Sequence, residues 1–250
     1  LLNSGLWPAI RQRPFSKIAD VEASPKAIII SAVDSAPLQA ESDILLDGQE
    51  KTFQLGIQLL SKLTEGKIHL SVSEKTKAFF SNISGVELHE FSGPHPAGNV
   101  GVQIHHIDRI QAPEKVWYLS PRHVSQLGSF LSTGEYPGSK TYALTGSELE
   151  KRYYVIGTEG ALVSDLVSTT LQNNTQRVIS GNVLTGAKSS SLGFVGFYDD
   201  MITVVPELEG RRFFGWLRLG LQANSFWPMF LSKLTPKKKH YGALEGHMVK

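Results

Sequence analysis

Apolar positions along this chain fall into two textures that change near Gly138. Before it, short continuous apolar runs alternate with segments of helical period. Ala27-Ile28-Ile29-Ile30-Ser31-Ala32-Val33 is β-branched and bounded by Pro25 and Asp34. Such a run predicts a strand covered on both faces, as in a parallel sheet. Phe53, Ile57, Leu60 and Leu63 then recur at helical spacing across Gln49 to Leu63, with Gly66 as the expected stop. Lys67 to Val72 predicts a second strand, Thr76 to Asn82 a short helix, and Val86 to Phe91 a third strand alternating as a sheet edge would. Ser120-Pro121 offers an N-cap with proline at the first helical position, opening a helix that runs to about Leu131 and ends before Gly134. Strand–helix–strand repeated at this spacing is a doubly wound α/β unit.

Past Gly138, Thr141 to Thr145 and Arg152 to Ile156 read as a hairpin, and Ala161 to Leu171 as a helix with Leu162, Leu166 and Val167 on one face. Arg177 to Val183 and Met201 to Val205 complete a small β-grasp module. The fold class expected is therefore α/β, with a Rossmann-like parallel-sheet domain over residues 1–138 and a β-grasp domain over 139–212. An aromatic and basic tail follows at 213–250, carrying Phe213 to Leu217, Phe226 to Phe230, Lys233 and Lys237 to Lys239. Aromatics beside lysines can dock at lipid headgroups, but a solvated connector is the preferred reading. Leu1 to Gly5 reads as the interior of a longer protein.

Composition narrows the function. Hydrophobic residues at 41% supply a core, and charged residues at 19% argue against disorder. A net charge of +2 is too small for wholesale nucleic-acid binding. With no cysteine there is no disulfide, iron–sulfur cluster or thiolate zinc site. No apolar run approaches the roughly 20 residues that span a bilayer.

The candidate chemistry starts at Trp7-Pro8-Ala9-Ile10-Arg11-Gln12-Arg13-Pro14-Phe15-Ser16-Lys17, a stretch stiffened by two prolines. Its rings and cations suit a flat aromatic ligand with polar edges. They suit a phosphate poorly, since phosphate cradles need glycines and free N–H groups. The alternative is that Trp7 and Phe15 pack the segment onto its own domain while the arginines stay solvated. Ser92-Gly93-Pro94-His95-Pro96-Ala97-Gly98 falls at a carboxyl end of the expected sheet, where ligands bind in such folds. His95 there could accept a proton, though a structural turn is the preferred reading. His95, His105 and His106 match no metal-ligand spacing, and adjacent histidines on a strand point to opposite faces, so no metal site is expected. Gly98 and Gly101 fall short of a dinucleotide fingerprint, with no helical pattern after them. Gly181 to Gly186 predicts a tight turn, Asp199-Asp200 falls in another, and no nucleophile–base signature occurs.

Ser4-Gly5-Leu6-Trp7, Arg13 to Lys17, Ser92 to Gly98, Gly181-Asn182-Val183-Leu184-Thr185-Gly186 and Phe214-Gly215-Trp216 together resemble one family. It is the A subunit of the bacterial sodium-translocating NADH:quinone oxidoreductase, and the resemblance runs from about Leu1 to about Leu231. It implies a peripheral subunit on the cytoplasmic side of the bacterial inner membrane, partnered by the complex's other subunits, above all the membrane-embedded ones. Family members also carry an N-terminal lipoyl-like region and a C-terminal helical region that this stretch does not match. The ligand implied is quinone, with Trp7, Arg11, Arg13, Phe15 and Lys17 as candidate contacts and Gly93, His95 and Gly98 as a secondary loop. Flavins, NADH and iron are expected in other subunits, and the isolated chain is expected to have no turnover.

The flavin-binding subunit of respiratory complex I is a more distant likeness. There a Ser-Gly-Leu leads into glycines that cradle the flavin phosphate. Here Ser4-Gly5-Leu6 leads into Trp7-Pro8-Ala9-Ile10, which would fill that space. Asp34 and Pro37 of the relative's cofactor turn are kept, but its Asn and Glu are not. Two other readings remain open: a ligand-free scaffold descended from a flavoprotein, and a weak nucleotide-binding module.

Overall fold

A computed structural model describes residues 1–167, 176–190 and 192–207. The chain divides into two units, Leu1–Tyr142 with Ile156–Glu159, and Ala143–Val155 with Gly160–Lys250.

In the first unit a short 3-10 helix, Trp7–Ala9, precedes β1 (Arg11–Arg13) and β2 (Lys17–Ile18). Then come β3 (Ala27–Ser31), α1 (Ser42–Leu45), α2 (Glu50–Leu60), β4 (Lys67–Val72), α3 (Lys77–Phe80) and β5 (Glu87–Glu90). Helix α4 (Val100–Ile107), β6 (Val116–Leu119) and α5 (Pro121–Thr133) complete it. The sheet order is β2-β1-β6-β3-β4-β5. Strands β6, β3, β4 and β5 run parallel, and β5 is the expected edge. The sheet is nevertheless mixed, because β1 adds antiparallel to β6 and β2 antiparallel to β1.

Strand alternation sends Ile28 and Ile30 to one face and Ile29 to the other. The first face packs with Leu70, Trp117 and Leu119 against Phe53 and Ile57 of α2 and Val124 and Leu127 of α5. The second packs Ile29 and Val116 against Ile104 of α4, with Tyr118 and Val100 beside them. Helices α2 and α5 meet at two glycines. A Cβ on Gly56 would lie 2.0 Å from the Val124 carbonyl oxygen, and one on Gly128 1.8 Å from that of Thr52.

Three expectations are corrected. Helix α2 ends at Leu60, and Gly66 is no cap: its hydrogen-only side lets the backbone pass Lys26, whose carbonyl oxygen would be 1.8 Å from an added Cβ. Val100–Ile107 is a helix, so one does follow Gly98-Asn99-Val100-Gly101. His105 and His106 therefore sit on its last turn and not on a strand.

The second sheet has the order β10-β9-β11-β7-β8. Its strands are β7 (Ser139–Thr145), β8 (Tyr153–Thr158), β9 (Gln176–Ser180), β10 (Ala187–Ser189) and β11 (Met201–Pro206), with α6 (Val163–Val167) between β8 and β9. Strands β11 and β7 pair in parallel at the centre, while β9 pairs antiparallel with β11 and β10, the arrangement of a β-grasp module. Strand β10 is an addition to the elements expected from periodicity. At Gly181 φ is +92°, and the Asn182 carboxamide oxygen accepts from the N–H groups of Leu184 and Thr185, which makes the predicted tight turn. The far end of the predicted Ala161 to Leu171 helix and the whole 213–250 tail lie outside the described residues. Among the described residues no helix is long and apolar enough to cross a membrane.

Candidate functional site

The carboxyl end of β3 organises the first half of the site. Beyond Ser31 the chain turns at Asp34, whose carboxylate accepts from the Ala36 N–H at 2.8 Å. Ser35 Oγ accepts from the Gly98 N–H at 2.8 Å and lies 3.1 Å from His95 Nδ1. Gly98 can approach so closely because it lacks a Cβ, which would stand 2.3 Å from the Ser35 nitrogen. Gly93, with φ of +129°, lets the loop leave β5 in a conformation that L side chains avoid. His95 and Gly98 are thus joined at β3, and the loop continues through Asn99 into α4, where Gln103 Nε2 donates back to the Gly98 carbonyl at 3.2 Å.

The opening segment supplies the second half, but it splits three ways. On β1 the period of two puts Arg11 and Arg13 on the α4 face, either side of Tyr118. Their guanidinium carbons lie 5.7 and 5.5 Å from the Tyr118 ring centre, in cation–π range. Arg11 also donates to the Ser16 carbonyl at 2.5 Å. Arg13 reaches the first turn of α4, where a Cβ on Gly101 would be 3.8 Å from its Nη2. The buried Arg13 Nε has no acceptor among the described residues. Trp7 faces the opposite way. It is 8% exposed, its indole N–H donates to the Ala19 carbonyl at 2.8 Å, and its ring stands edge-on to Trp117 at 5.6 Å. Phe15 is 81% exposed at the tip of the β1–β2 turn, with Lys17 Nζ 5.9 Å over its ring. So Arg11 and Arg13 come together, Phe15 and Lys17 come together, and Trp7 belongs to the core.

Four amides of this segment already have partners. The N–H groups of Gly5, Ala9 and Ile10 donate to the carbonyls of Leu2, Leu6 and Trp7, that of Leu6 donates to Ser4 Oγ, and Pro8 has none.

A further cluster carries no sequence motif. His69 on β4 pairs in register with Glu87 on β5, and His89 is two residues on, on the same face. His69 Nδ1 lies 2.9 Å from His89 Nε2 and 3.5 Å from Glu87 Oε2. Burial, then the neighbouring His89, pushes the His69 imidazole below its usual range. Lys67 holds the other Glu87 oxygen at 2.6 Å and keeps that carboxylate ionised to lower pH. The group exists only through the β4–β5 register, which is why spacing along the chain does not reveal it.

Several other charged groups hold the fold together. Arg122 and Glu159 form a buried pair at 3.0 Å, and Tyr136 donates to the second Glu159 oxygen. Burial and that carboxylate push the Tyr136 hydroxyl up to about 12. Burial beside Arg122 drives His123 well below its normal range. Asp199 accepts from Ser180 Oγ at 2.6 Å, so it serves the turn in which it was expected. An open cleft of about 560 Å³ between Lys26, Glu65, Gly66 and Glu114 lies before β3, β4 and β6, at the end of the sheet away from the loops above.

Residues 1–136 match the family described as NqrA second alpha/beta domain, and residues 141–191 the one described as NQRA C-terminal domain. The A subunit of the Na+-translocating NADH-quinone reductase of Rhodopirellula baltica is 35% identical to this chain over 241 residues, covering 96% of this chain and 53% of that one. The same-named protein of Neisseria meningitidis serogroup B is 38% identical over 218 residues, covering 87% and 49%. The chain thus spans about half the length of these curated relatives. Among solved structures, an NAD+-reducing NiFe-hydrogenase in its H2-reduced state superposes with a TM-score of 0.57 at 11% identity, over 74% of this chain and 41% of that one. At that identity the likeness concerns the fold alone.

Proposed function

The chain belongs to the NqrA family, the A subunits of Na+-translocating NADH-quinone reductases, and we propose that within such a complex it helps bind quinone and hold the assembly together. The observation that carries this reading is the buried, unengaged Nε of Arg13, set between the Tyr118 ring and the start of α4. A quinone carbonyl is an acceptor of the kind it lacks. As the ring is reduced its oxygens gain negative charge, and a guanidinium in a water-poor site favours that charge more strongly than the neutral ring. Arg11 shares the Tyr118 ring and adds positive potential. Phe15 and Lys17, exposed on the adjoining turn, supply an apolar face and a cation for the outer part of the ligand or for a neighbouring subunit. Trp7 acts from behind the sheet, as the anchor that fixes where β1 begins. The loop of Gly93, His95 and Gly98 borders the same helix and would close the site.

The old flavin cradle is a poor match for a phosphate in this chain: the N–H groups of Gly5, Leu6, Ala9 and Ile10 are engaged internally, Pro8 has none, and Trp7 and Ile10 fill the space as core residues. On the proposed reading, flavins, NADH and iron belong to other subunits, turnover to the assembled complex, and this chain to its cytoplasmic periphery at the inner membrane.

The test is photo-crosslinking of the whole complex with an azido-quinone, combined with Arg13→Ala and Arg13→Lys. Label is expected within residues 11–18 or 93–101. The quinone KM should rise about tenfold or more in Arg13→Ala, the loss of a charge-assisted hydrogen bond, with the NADH KM unchanged. Label confined elsewhere, together with an unaltered quinone KM, would leave the scaffold reading in possession. Protection by NADH and not by quinone would favour the nucleotide module.

A further inference from the structure

The His69–Glu87–His89 cluster takes no part in the proposed quinone site. It sits on β4 and the edge strand β5, away from β1. All three ligand atoms, His69 Nδ1, Glu87 Oε2 and His89 Nε2, lie within 4.8 Å of one another. We propose that these three side chains form a binding site for one divalent transition-metal cation of the zinc class.

The distances support a tetrahedral ion. Zinc holds imidazole nitrogen and carboxylate oxygen at about 2.0–2.2 Å, so two ligands on a tetrahedron stand about 3.3 Å apart. The separations of 2.9 Å between the two nitrogens and 3.5 Å between His69 Nδ1 and Glu87 Oε2 bracket that value. An ion would enter with shifts of a few tenths of an ångström. Two imidazoles and one carboxylate select zinc-class cations, whereas magnesium and calcium prefer all-oxygen shells.

The fold also supplies rigidity and access. Two ligands come from one strand at a spacing of two, and the third is the register partner of Glu87 on the neighbouring strand. His69 is buried, His89 half-buried and Glu87 exposed, so an ion would be held from the sheet side and open to solvent on the other. That leaves a fourth position for water or for a ligand from outside the chain, as in zinc sites with three protein ligands. Lys67 is the opposing charge. It engages Glu87 through Oε1, the oxygen the ion does not need, and its side chain is 70% exposed and can swing clear.

The experiment is titration of the chelator-treated chain with Zn2+ by calorimetry, and with Co2+ by visible absorption. One Zn2+ per chain and an intense tetrahedral Co2+ band are expected, with no competition from Mg2+. His89→Ala and Glu87→Gln should each weaken Zn2+ binding at least about tenfold, since losing even a supporting partner costs about 10–100-fold. Neither residue lies in the core, and circular dichroism of the metal-free variants checks that both fold. His105→Ala should leave affinity unchanged. The proposal is overturned by absence of stoichiometric uptake, by a weak octahedral Co2+ spectrum, or by binding that survives undiminished in His89→Ala.

Discussion

Replacing Gly98 by alanine isolates the contact that seats the candidate loop on the sheet. The φ angle at Gly98 is outside the left-handed region, so backbone strain is not at issue and only space is. The new Cβ would lie 2.3 Å from the Ser35 nitrogen and 2.8 Å from Asp34 backbone carbons, where ordinary contact starts at 3.4 Å. The shortfall is about 1 Å, against backbone atoms that no rotamer change can move. Overpacking of this kind costs about 1–3 kcal/mol. Loss of chain entropy in the unfolded state returns about 0.4–1 kcal/mol. If the loop lifts instead, the bond from the Gly98 N–H to Ser35 is lost, at about 0.5–1.5 kcal/mol. The overpacked route leaves a net destabilisation of about 1–2 kcal/mol, which lowers Tm by about 2–8 °C for a chain of this size, and the lifted loop leaves less than about 1 kcal/mol. Urea denaturation followed by circular dichroism measures it. Gly138→Ala is the control, because no atom lies within 4 Å of its added Cβ. Equal stability of the two variants would refute the argument that Gly98 is chosen for close approach.

Gly128→Ala should also destabilise, by about 1–3 kcal/mol, by forcing α5 off the Thr52 carbonyl; a rise in Tm would contradict the helix contact described. Trp7→Phe leaves the buried Ala19 carbonyl without its donor and should cost about 1–3 kcal/mol, while the quinone KM of the complex stays put; a raised KM with unchanged Tm would return Trp7 to the ligand surface. Glu159→Gln removes the carboxylate that neutralises the buried Arg122, which keeps its bonds to Gln126 and His123, and should cost about 3 kcal/mol or more in urea melts. Arg177, then Lys188, hold Glu207 down to about 2, below its ordinary 4.5. Its folded-state pKa is depressed, so its stabilisation is present above pH 4.5 and disappears as pH falls towards 2. The parent should therefore lose Tm faster than Glu207→Gln across that window, by a small margin because solvent screens this pair; parallel slopes would count against it.

What the sequence makes legible is whatever burial writes into local periodicity. Ile28 to Ile30 is apolar on both faces because helices cover both, and Phe53 to Leu60 repeats helically because one stripe meets the sheet. Strand β1 is hidden: Arg-Gln-Arg has no apolar alternation, and its place is set by pairing with Val116 to Tyr118. Helix α4 carries a signal in Val100, Ile104 and Ile107, masked by two glycines and the prolines before them. The opening segment stands out in composition, but its spacing cannot show that Trp7 and Arg13 lie on opposite faces. The β4–β5 register that joins His69 to Glu87 and His89 depends on tertiary packing and leaves no trace in either strand alone.

Inserting β1 between β2 and β6 has a consequence for biosynthesis. Arg11 to Arg13 leave the ribosome about a hundred residues ahead of their partners Val116 to Tyr118. Until β6 has emerged there is no sheet edge for them to join, and Tyr118 is not yet beside the two arginines. Strands β3, β4 and β5 can pair earlier, over shorter loops, so the arginine strand docks only after they have formed and β6 has emerged. Being three residues long, it should also come away first, its amides exchanging with solvent ahead of those of β3.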